Sequence, residues 1–233
     1  MRYSMREIWN SIPADKKKQD SLWTRWVLRP LSIPVSALAL RFSLSANAVS
    51  YISALFSIGG GVLLSLPGFV FPLWGALLLN IFSVLDCVDG NIARVTKTAG
   101  PWGGWADAVM GFVAYTAVFF GTGVYLYQRT PWWPFLLVAG LSSSANLLTR
   151  AAYQIYKNIE GGKAHDSVSF ERKLAENAGI TGFMMPALIL CHIFGGMAVI
   201  LWFNLAFYGC GCLVTLVKLA LRGKKRNVIP GNS

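Results

Sequence analysis

Histidine, cysteine and acidic residues are all scarce in this sequence. Its 233 residues include two histidines, four cysteines and ten aspartates or glutamates. The cysteines lie in apolar segments without the paired C-x-x-C spacing of a zinc site, so we expect them to be small apolar residues in a reducing environment. The composition argues against a structural zinc site, and it makes any cluster of acidic residues informative.

Charge is also low overall and strongly one-sided. Only 13% of the residues are charged, and the 21 basic residues give a net charge of +11. Anionic lipid headgroups and a phosphorylated substrate are sufficient partners for this excess of positive charge. The sequence therefore does not require nucleic acid as a partner.

Apolar residues make up 55% of the chain and form runs that approach the length of a bilayer span. The alternation of apolar and polar residues that is typical of transmembrane strands is absent. Because a helix satisfies its own backbone hydrogen bonds in lipid, we expect an all-α integral membrane protein built as a six-span helical bundle. The predicted spans are 47–67, 70–93, 104–128, 131–156, 178–197 and 200–221.

The distribution of basic residues predicts the orientation of this bundle. With these six spans, 20 of the 21 lysines and arginines fall on one side of the membrane, and only Arg129 falls on the other. The positive-inside rule then places both termini in the cytoplasm. We expect a multi-pass protein of the cytoplasmic (inner) membrane.

The segment before the first span carries charges throughout its first half and has no apolar core there, so it does not resemble a cleavable signal. Four apolar residues recur in it at helical spacing: Met5, Ile8, Trp9 and Ile12. This spacing predicts an interfacial amphipathic helix, and packing of the segment against the bundle is the alternative. We expect three regions: an interfacial segment (1–44), a six-helix transmembrane domain (45–222) and a cytoplasmic tail (223–233).

Three of the ten acidic residues stand within 22 positions of one another, at the ends of long apolar segments. Asp86 and Asp89 are three residues apart and share one helix face, and Gly90 beside them leaves room for a ligand or a neighbouring helix. Asp107 lies on the next predicted helix. Carboxylates at the edge of a bilayer cost free energy unless they are paired or bind a cation. We therefore expect two helices to direct three carboxylates at one metal and phosphate site.

The residues around this cluster resemble the motif of the CDP-alcohol phosphotransferase (phosphatidyltransferase) family. That motif reads D-x-x-D-G-x-x-A-R, then about eight residues, then G-x-x-x-D-x-x-x-D. All but the last of its fixed positions match here in order and spacing: Asp86, Asp89, Gly90, Ala93, Arg94, Gly103 and Asp107. Residues 45–50 also resemble the family's P-N-x-x-T entry to the first span, with Asn47 in place and Ala46 where proline is usual.

The resemblance implies a reaction and a role for each matching residue. The reaction is transfer of a substituted phosphate from a CDP-linked donor, a CDP-alcohol or CDP-diacylglycerol, to an acceptor with release of CMP. The implied ligands of Mg²⁺ or Mn²⁺ are Asp86, Asp89 and Asp107. The implied nucleotide-binding residues are Asn47, Gly90, Ala93, Arg94 and Gly103. The expected partners are the donor, a bilayer with anionic headgroups and, in a homodimer, a second copy of the chain.

The last aspartate of the motif is missing, because Gly111 stands four residues after Asp107. In the family this aspartate is a metal ligand and the proposed base that deprotonates the acceptor hydroxyl. Three explanations are open: another base such as His165 or a water, an acceptor that is already ionised, or a protein that binds its nucleotide ligand without turnover.

Other interpretations of these residues also stay open. Another metal-dependent diphosphate chemistry, prenyl transfer or cyclisation, also uses aspartate pairs on facing helices. The G-x-x-A-R continuation of the motif favours a CDP-linked donor instead. An ion-paired cluster, with Asp89 against Arg94 or Lys97, would need no ligand at all. The cations we expect to bind an acceptor phosphate or lipid headgroups are Arg150, Arg172 and Lys173. The positive-inside rule alone would also place cations in that loop.

Overall fold

The computed structural model describes residues 3–159 and 177–227, and in these two ranges the chain is helical and contains no strand. Two short π-helical turns, Thr24–Leu28 and Ile180–Met184, interrupt the α-helices. In chain order the α-helices are α1 (Met5–Asn10), α2 (Ala14–Gln19), α3 (Arg29–Arg41), α4 (Ala46–Leu64), α5 (Val70–Val95), α6 (Pro101–Arg129), α7 (Pro134–Ile159), α8 (Met185–Ile193) and α9 (Met197–Asn227).

Five of these helices are long and apolar enough to cross a membrane, namely α4, α5, α6, α7 and α9. Their bounds agree with five of the six predicted spans to within a few residues. The expectation of an all-α membrane bundle is confirmed.

The segment predicted as the fifth span, 178–197, differs from the others. Its apolar helix covers only Gly182–Ile193 in the described part of the chain. The backbone is non-helical at Gly182 (φ −103°, ψ −139°), and α8 ends before Gly195, whose φ of 77° suits glycine. This segment is therefore shorter than the roughly 20 residues that a span of regular helix needs.

The broken segment nevertheless runs from one end of the bundle to the other. At one end, Asn177 Oδ1 accepts a hydrogen bond from the backbone N–H of Leu22, at 2.9 Å. At the other end, His192 contacts the carbonyl oxygen of Phe69 at 2.8 Å and the hydroxyl of Tyr125 at 3.1 Å. Phe69 lies in the turn between α4 and α5. The described chain thus passes through the bundle six times, once in interrupted helix.

Glycines bring α4 very close to α5 and α6. A Cβ atom added at Gly75 would lie 2.6 Å from the carbonyl oxygen of Gly60. One added at Gly61 would lie 2.9 Å from the carbonyl oxygen of Ala117. Backbones can approach this closely only where there is no side chain, as is common between transmembrane helices.

The N-terminal segment packs on the bundle, which was the alternative to a purely interfacial helix. Helix α1 begins at Ser4 with a capping box to Glu7. Ile8 and Ile12 are buried against α3, while Met5 and Trp9 on the same helical stripe are exposed. The amphipathic helix is confirmed, but about half of its apolar stripe faces protein.

Candidate active site

A cavity of about 680 Å³ lies at the end of the bundle where α5 ends and α4 and α6 begin. Its walls come from these three helices, from the turn before α6 and from residues 13–28, which we call the arm. All of the predicted metal and nucleotide residues line this cavity: Asn47, Asp86, Asp89, Gly90, Ala93, Arg94, Gly103 and Asp107.

Two long helices begin at the cavity wall. Ser45 starts α4, and its Oγ accepts a hydrogen bond from the backbone N–H of Ala48 at 3.1 Å. Pro101 starts α6 directly after Gly100, in a position where its missing N–H costs nothing. The N-terminus of a helix presents unpaired N–H groups and a partial positive charge, so this wall suits an anionic group such as phosphate.

The three carboxylates occupy different environments. Asp86 is half-buried, and its carboxyl contacts that of Asp107 as a hydrogen-bond partner. Two carboxyl groups in contact repel each other unless a proton or a cation lies between them. Asp89 is 6% exposed and accepts a hydrogen bond from Ser50 Oγ at 2.5 Å.

The alternative of an ion-paired acidic cluster does not describe this arrangement. Among the described residues, the ion pair that forms joins Asp20 to Arg29, and Asp89 pairs with neither Arg94 nor Lys97. Arg94 instead donates a hydrogen bond to Asn91 Oδ1 at 2.8 Å. The carboxylates of the motif are thus left unpaired by protein cations.

The donor set suits a hard divalent cation. Mg²⁺ prefers oxygen ligands and is usually held by one or two carboxylates together with waters and substrate phosphates. The contact pair of Asp86 and Asp107 supplies such oxygens. Within the described ranges, no three Asp, Glu, His or Cys side chains surround one common ion position. The arrangement therefore fits an ion held by this pair, with Asp89 as a third carboxylate on the cavity wall.

A buried asparagine connects the motif to α3. Asn91 is 0% exposed, and its Nδ2 donates to the hydroxyls of Ser32 at 3.0 Å and Ser36 at 3.1 Å. Its Oδ1 accepts from Arg94 at 2.8 Å and from Arg29 at 3.4 Å. Because every polar atom of the Asn91 side chain is used, this network holds the guanidinium of Arg94 in one place.

Sequence reasoning missed the contributions of the arm and of two polar residues in the spans. Lys16, Asp20 and Arg29 line the cavity, although they precede the first span and carry no motif. Ser50 occupies the position of threonine in the P-N-x-x-T pattern, so its hydroxyl could have been assigned from the sequence. Asn91 was also detectable, since a polar residue within an apolar run is usually functional or pairs with another helix.

The remaining candidate residues lie outside the cavity or outside the described ranges. Arg150 stacks over the ring of Tyr115 at 4.6 Å and does not line the cavity, although its charge acts on Asp107. A Cβ atom at Gly111 would have no other atom within 4 Å, so this position is open. The other three candidates fall outside the described residues: His165, Arg172 and Lys173.

The fold and the cavity define a multi-pass helical membrane protein with an acidic site at one end of its bundle. The model of the CDP-alcohol phosphatidyltransferase family matches residues 43–171, more than half of the chain. The chain belongs to this family, which confirms the resemblance seen in the motif. The family comprises membrane-bound transferases of phospholipid biosynthesis and generally uses a divalent metal.

Two curated relatives carry the name phosphatidylinositol phosphate synthase. The protein of Streptomyces avermitilis is 31% identical over 88 residues, which are 38% of this chain and 35% of the relative. The protein of Corynebacterium glutamicum is 25% identical over 170 residues, 66% of this chain and 71% of the relative. The chain thus matches about a third of the length of the first relative.

Proposed function

We propose that this chain catalyses Mg²⁺-dependent transfer of a substituted phosphate from a CDP-linked donor to an acceptor, with release of CMP. The observation that carries the proposal is the convergence of the two motif blocks. They lie on α5 and α6, and both line one cavity together with Asn47 at the start of α4. Family membership and the names of the two relatives support a phosphatidyl group as the part that is transferred.

We assign a different role in this reaction to each group of cavity residues. Space for the nucleotide is left by Gly90, Ala93 and Gly103. Asn91 holds the guanidinium of Arg94 in a position where it can contact the nucleotide. The N-termini of α4 and α6 attract the diphosphate. Asp86, Asp89 and Asp107 would hold the metal, which neutralises charge on the diphosphate and makes CMP a better leaving group. Positioning and charge neutralisation together account for most of what a phosphoryl transfer requires.

The glycine at the usual base position limits how the acceptor can be activated. Gly111 carries no group that accepts a proton, and its surroundings are open. An acceptor that is already ionised, or one whose hydroxyl is deprotonated by a water or by another residue, fits this position. Since both relatives are named for a phosphorylated lipid product, a phosphorylated polyol is the first acceptor to test. We also propose that the cavity faces the cytoplasm, because the six predicted spans put 20 of the 21 basic residues on one side, and Arg94 on the cavity wall is one of them.

Ligand-induced stabilisation of the purified protein tests the proposal. In Mg²⁺ we expect CDP-diacylglycerol to raise the melting temperature, a prenyl diphosphate to leave it unchanged, and EDTA to remove the effect. CMP release in the presence of membrane extract, which contains acceptors, would then demonstrate turnover. Stabilisation by the prenyl diphosphate alone would contradict the proposal. Tight binding of CDP-diacylglycerol without CMP release from any extract would instead show a binding protein.

A further inference from the structure

The arm forms one side of the cavity and places a lysine there. Five of its residues line the cavity: Lys16, Gln19, Asp20, Ser21 and Thr24. They face the ends of α5 and α6 that carry the motif carboxylates. A segment that the sequence assigns to the membrane interface is therefore part of the site.

Several contacts hold the arm in this position. Asp20 and Arg29 form a two-point ion pair, with Nε–Oδ2 and Nη2–Oδ1 distances of 2.7 and 3.0 Å. Burial lowers the pKa of Arg29, but the hydrogen bond to Asp20 and the nearby negative charges more than offset this, so the net shift is upward and Arg29 stays charged. Arg25 donates to the carbonyl oxygens of Lys17 at 3.0 Å and Lys18 at 2.7 Å, at the end of α2. These contacts hold the backbone of α2 beside the cavity, and the Lys16 side chain is exposed there.

The three consecutive lysines of α2 differ sharply in their surroundings. Lys17 turns away from the cavity, where its Nζ lies 4.3 Å from the centre of the Trp9 ring and donates to the Trp9 carbonyl at 3.0 Å. Lys18 does not line the cavity either. Lys16 does, and its charge acts on both Asp86 and Asp107. Of the three lysines, Lys16 alone lines the cavity.

Lys16 also differs from the other two cations on the cavity wall. Arg29 is bound to Asp20, and Arg94 is bound to Asn91. Within the described ranges, the ammonium of Lys16 has no hydrogen-bond partner and no carboxylate at ion-pair distance. A cation that faces carboxylates across a cavity without pairing with them leaves space for an anion between the two.

We propose that Lys16 binds a phosphate group inside the cavity that it shares with Asp86 and Asp107. The inference rests on the proposed function, which supplies two sources of this group: the diphosphate of the CDP-linked donor and the phosphate of a phosphorylated acceptor. In either case the arm completes the site, because the ammonium neutralises phosphate charge that the metal side leaves uncompensated.

Binding measurements on purified full-length protein in detergent, with Mg²⁺ and at low salt, test this proposal. The variants are Lys16→Ala, Lys16→Gln, which keeps most of the aliphatic stem, Lys16→Arg, which keeps the charge, and Lys18→Ala as the matched control on the same helix. The probes are CDP, which carries the donor's diphosphate, and inorganic phosphate in the presence of CMP, which represents an acceptor phosphate. We expect Lys16→Ala and Lys16→Gln to weaken one probe by about 10-fold or more, since a charge-assisted hydrogen bond is lost. Lys16→Arg should weaken it less, and Lys18→Ala should match the wild type.

The pattern of losses identifies the source of the phosphate. Weaker CDP binding assigns Lys16 to the donor, and weaker phosphate binding alone assigns it to the acceptor. Equal affinities for both probes in wild type and the neutral Lys16 variants would overturn the inference, as would an equal loss in Lys18→Ala. A wild-type protein that binds phosphate through Lys16 but does not bind CDP would contradict the proposed function and leave this inference standing.

Discussion

At the scale of single residues, the central feature is the contact between two carboxyl groups from different helices. Asp86 from α5 and Asp107 from α6 meet at the cavity, and no protein cation pairs with either of them in the described part of the chain. Such a pair is unfavourable in a membrane protein unless a proton or a cation lies between the two groups.

Replacing a motif carboxylate should remove the metal dependence of ligand binding. We expect Asp86→Asn, Asp89→Asn and Asp107→Asn each to abolish the Mg²⁺-dependent rise in melting temperature with CDP. The changes at Asp86 and Asp107 each remove a charged oxygen ligand, and Asp89→Asn removes a third negative charge from the wall of the same cavity. Asp15→Asn is the matched control, since Asp15 is exposed on α2 and does not line the cavity. Unchanged Mg²⁺ dependence in all three variants would show that the carboxylates do not hold a metal.

Restoring the missing aspartate should distinguish the kinds of acceptor. Gly111→Asp places a carboxyl in open space one turn from Asp107, so the fold should tolerate it. With a neutral alcohol as acceptor, CMP release should rise by about 10-fold or more, because a base is supplied. With a nucleophile that is already ionised, such as a phosphate or carboxylate oxygen, CMP release should fall, because the new charge repels it.

Gly111→Asn is the control for this experiment, since it has nearly the same size without the charge or the basicity. A change in CMP release that Gly111→Asn reproduces would show that volume, rather than charge or base catalysis, is responsible. If Gly111→Asp alters metal affinity while neither the wild type nor this variant releases CMP, the chain is a binding protein.

At the scale of helices, the position of the site depends on how closely α4, α5 and α6 approach one another. Gly60 and Gly61 on α4 face Gly75 on α5 and Ala117 on α6, with backbone in contact with backbone. The cavity lies at the ends of these same three helices. Their separation therefore sets the distance between Asn47, the α5 carboxylates and Asp107.

Adding a side chain at one of these backbone contacts should destabilise the bundle. A Cβ at Gly75 would overlap the backbone of Leu64 and Gly60, which cannot move aside as a side chain can. We expect Gly75→Ala to lower the free energy of unfolding by about 1–3 kcal/mol or more, and to lower the melting temperature in detergent. It should also weaken CDP binding, because the helix ends move apart.

Gly140→Ala provides the matched comparison for Gly75→Ala. Gly140 lies within α7, and a Cβ there would have no other atom within 4 Å. Alanine is a better helix former than glycine by up to about 1 kcal/mol, so this change should be neutral or slightly stabilising. Equal melting temperatures for the two alanine variants would contradict the close packing described above.

At the scale of the whole molecule, six passes bring both ends of the described chain to the side of the bundle that holds the cavity. Arg129 lies at the opposite side, where its guanidinium donates to the carbonyl oxygen of Gly68 at 3.4 Å. The fifth pass is the interrupted segment between Asn177 and His192, and the position of α9 depends on it. If that segment did not cross the bundle, the end of α9 would lie on the opposite side from the cavity.

Reporter fusions test this topology directly. Because 20 of the 21 basic residues fall on one side, we expect a reporter fused after Ser233 to report the cytoplasm and one inserted near Arg129 to report the opposite face. Moving the C-terminal fusion to a truncation at Gly195 should switch its location to that of Arg129. A C-terminal reporter on the outer face would break the six-pass arrangement and place the cavity on the wrong side of the membrane.

The sequence by itself determined the class of fold and most of the motif-bearing wall of the site. Apolar runs of bilayer length have one solution, a bundle of helices, because the backbone has no other way to satisfy its hydrogen bonds in lipid. The carboxylates were recognisable because charge at that depth is rare, and their three-residue spacing places Asp86 and Asp89 on one helix face regardless of what surrounds it. These are local properties, which short stretches of sequence carry.

The tertiary structure alone decided which distant residues join that wall. Lys16 and Asp20 reach the cavity because Ile8 and Ile12 are buried against α3, which folds the N-terminal segment over the bundle, and Arg29 lies there at the start of α3. A stripe of apolar residues at helical spacing does not indicate whether it will contact lipid or protein, because either contact removes the apolar side chains from water. The interrupted fifth pass has the same origin. Residues 182–193 are too few for a regular span, and the contacts of Asn177 and His192 at opposite ends carry the segment across the bundle.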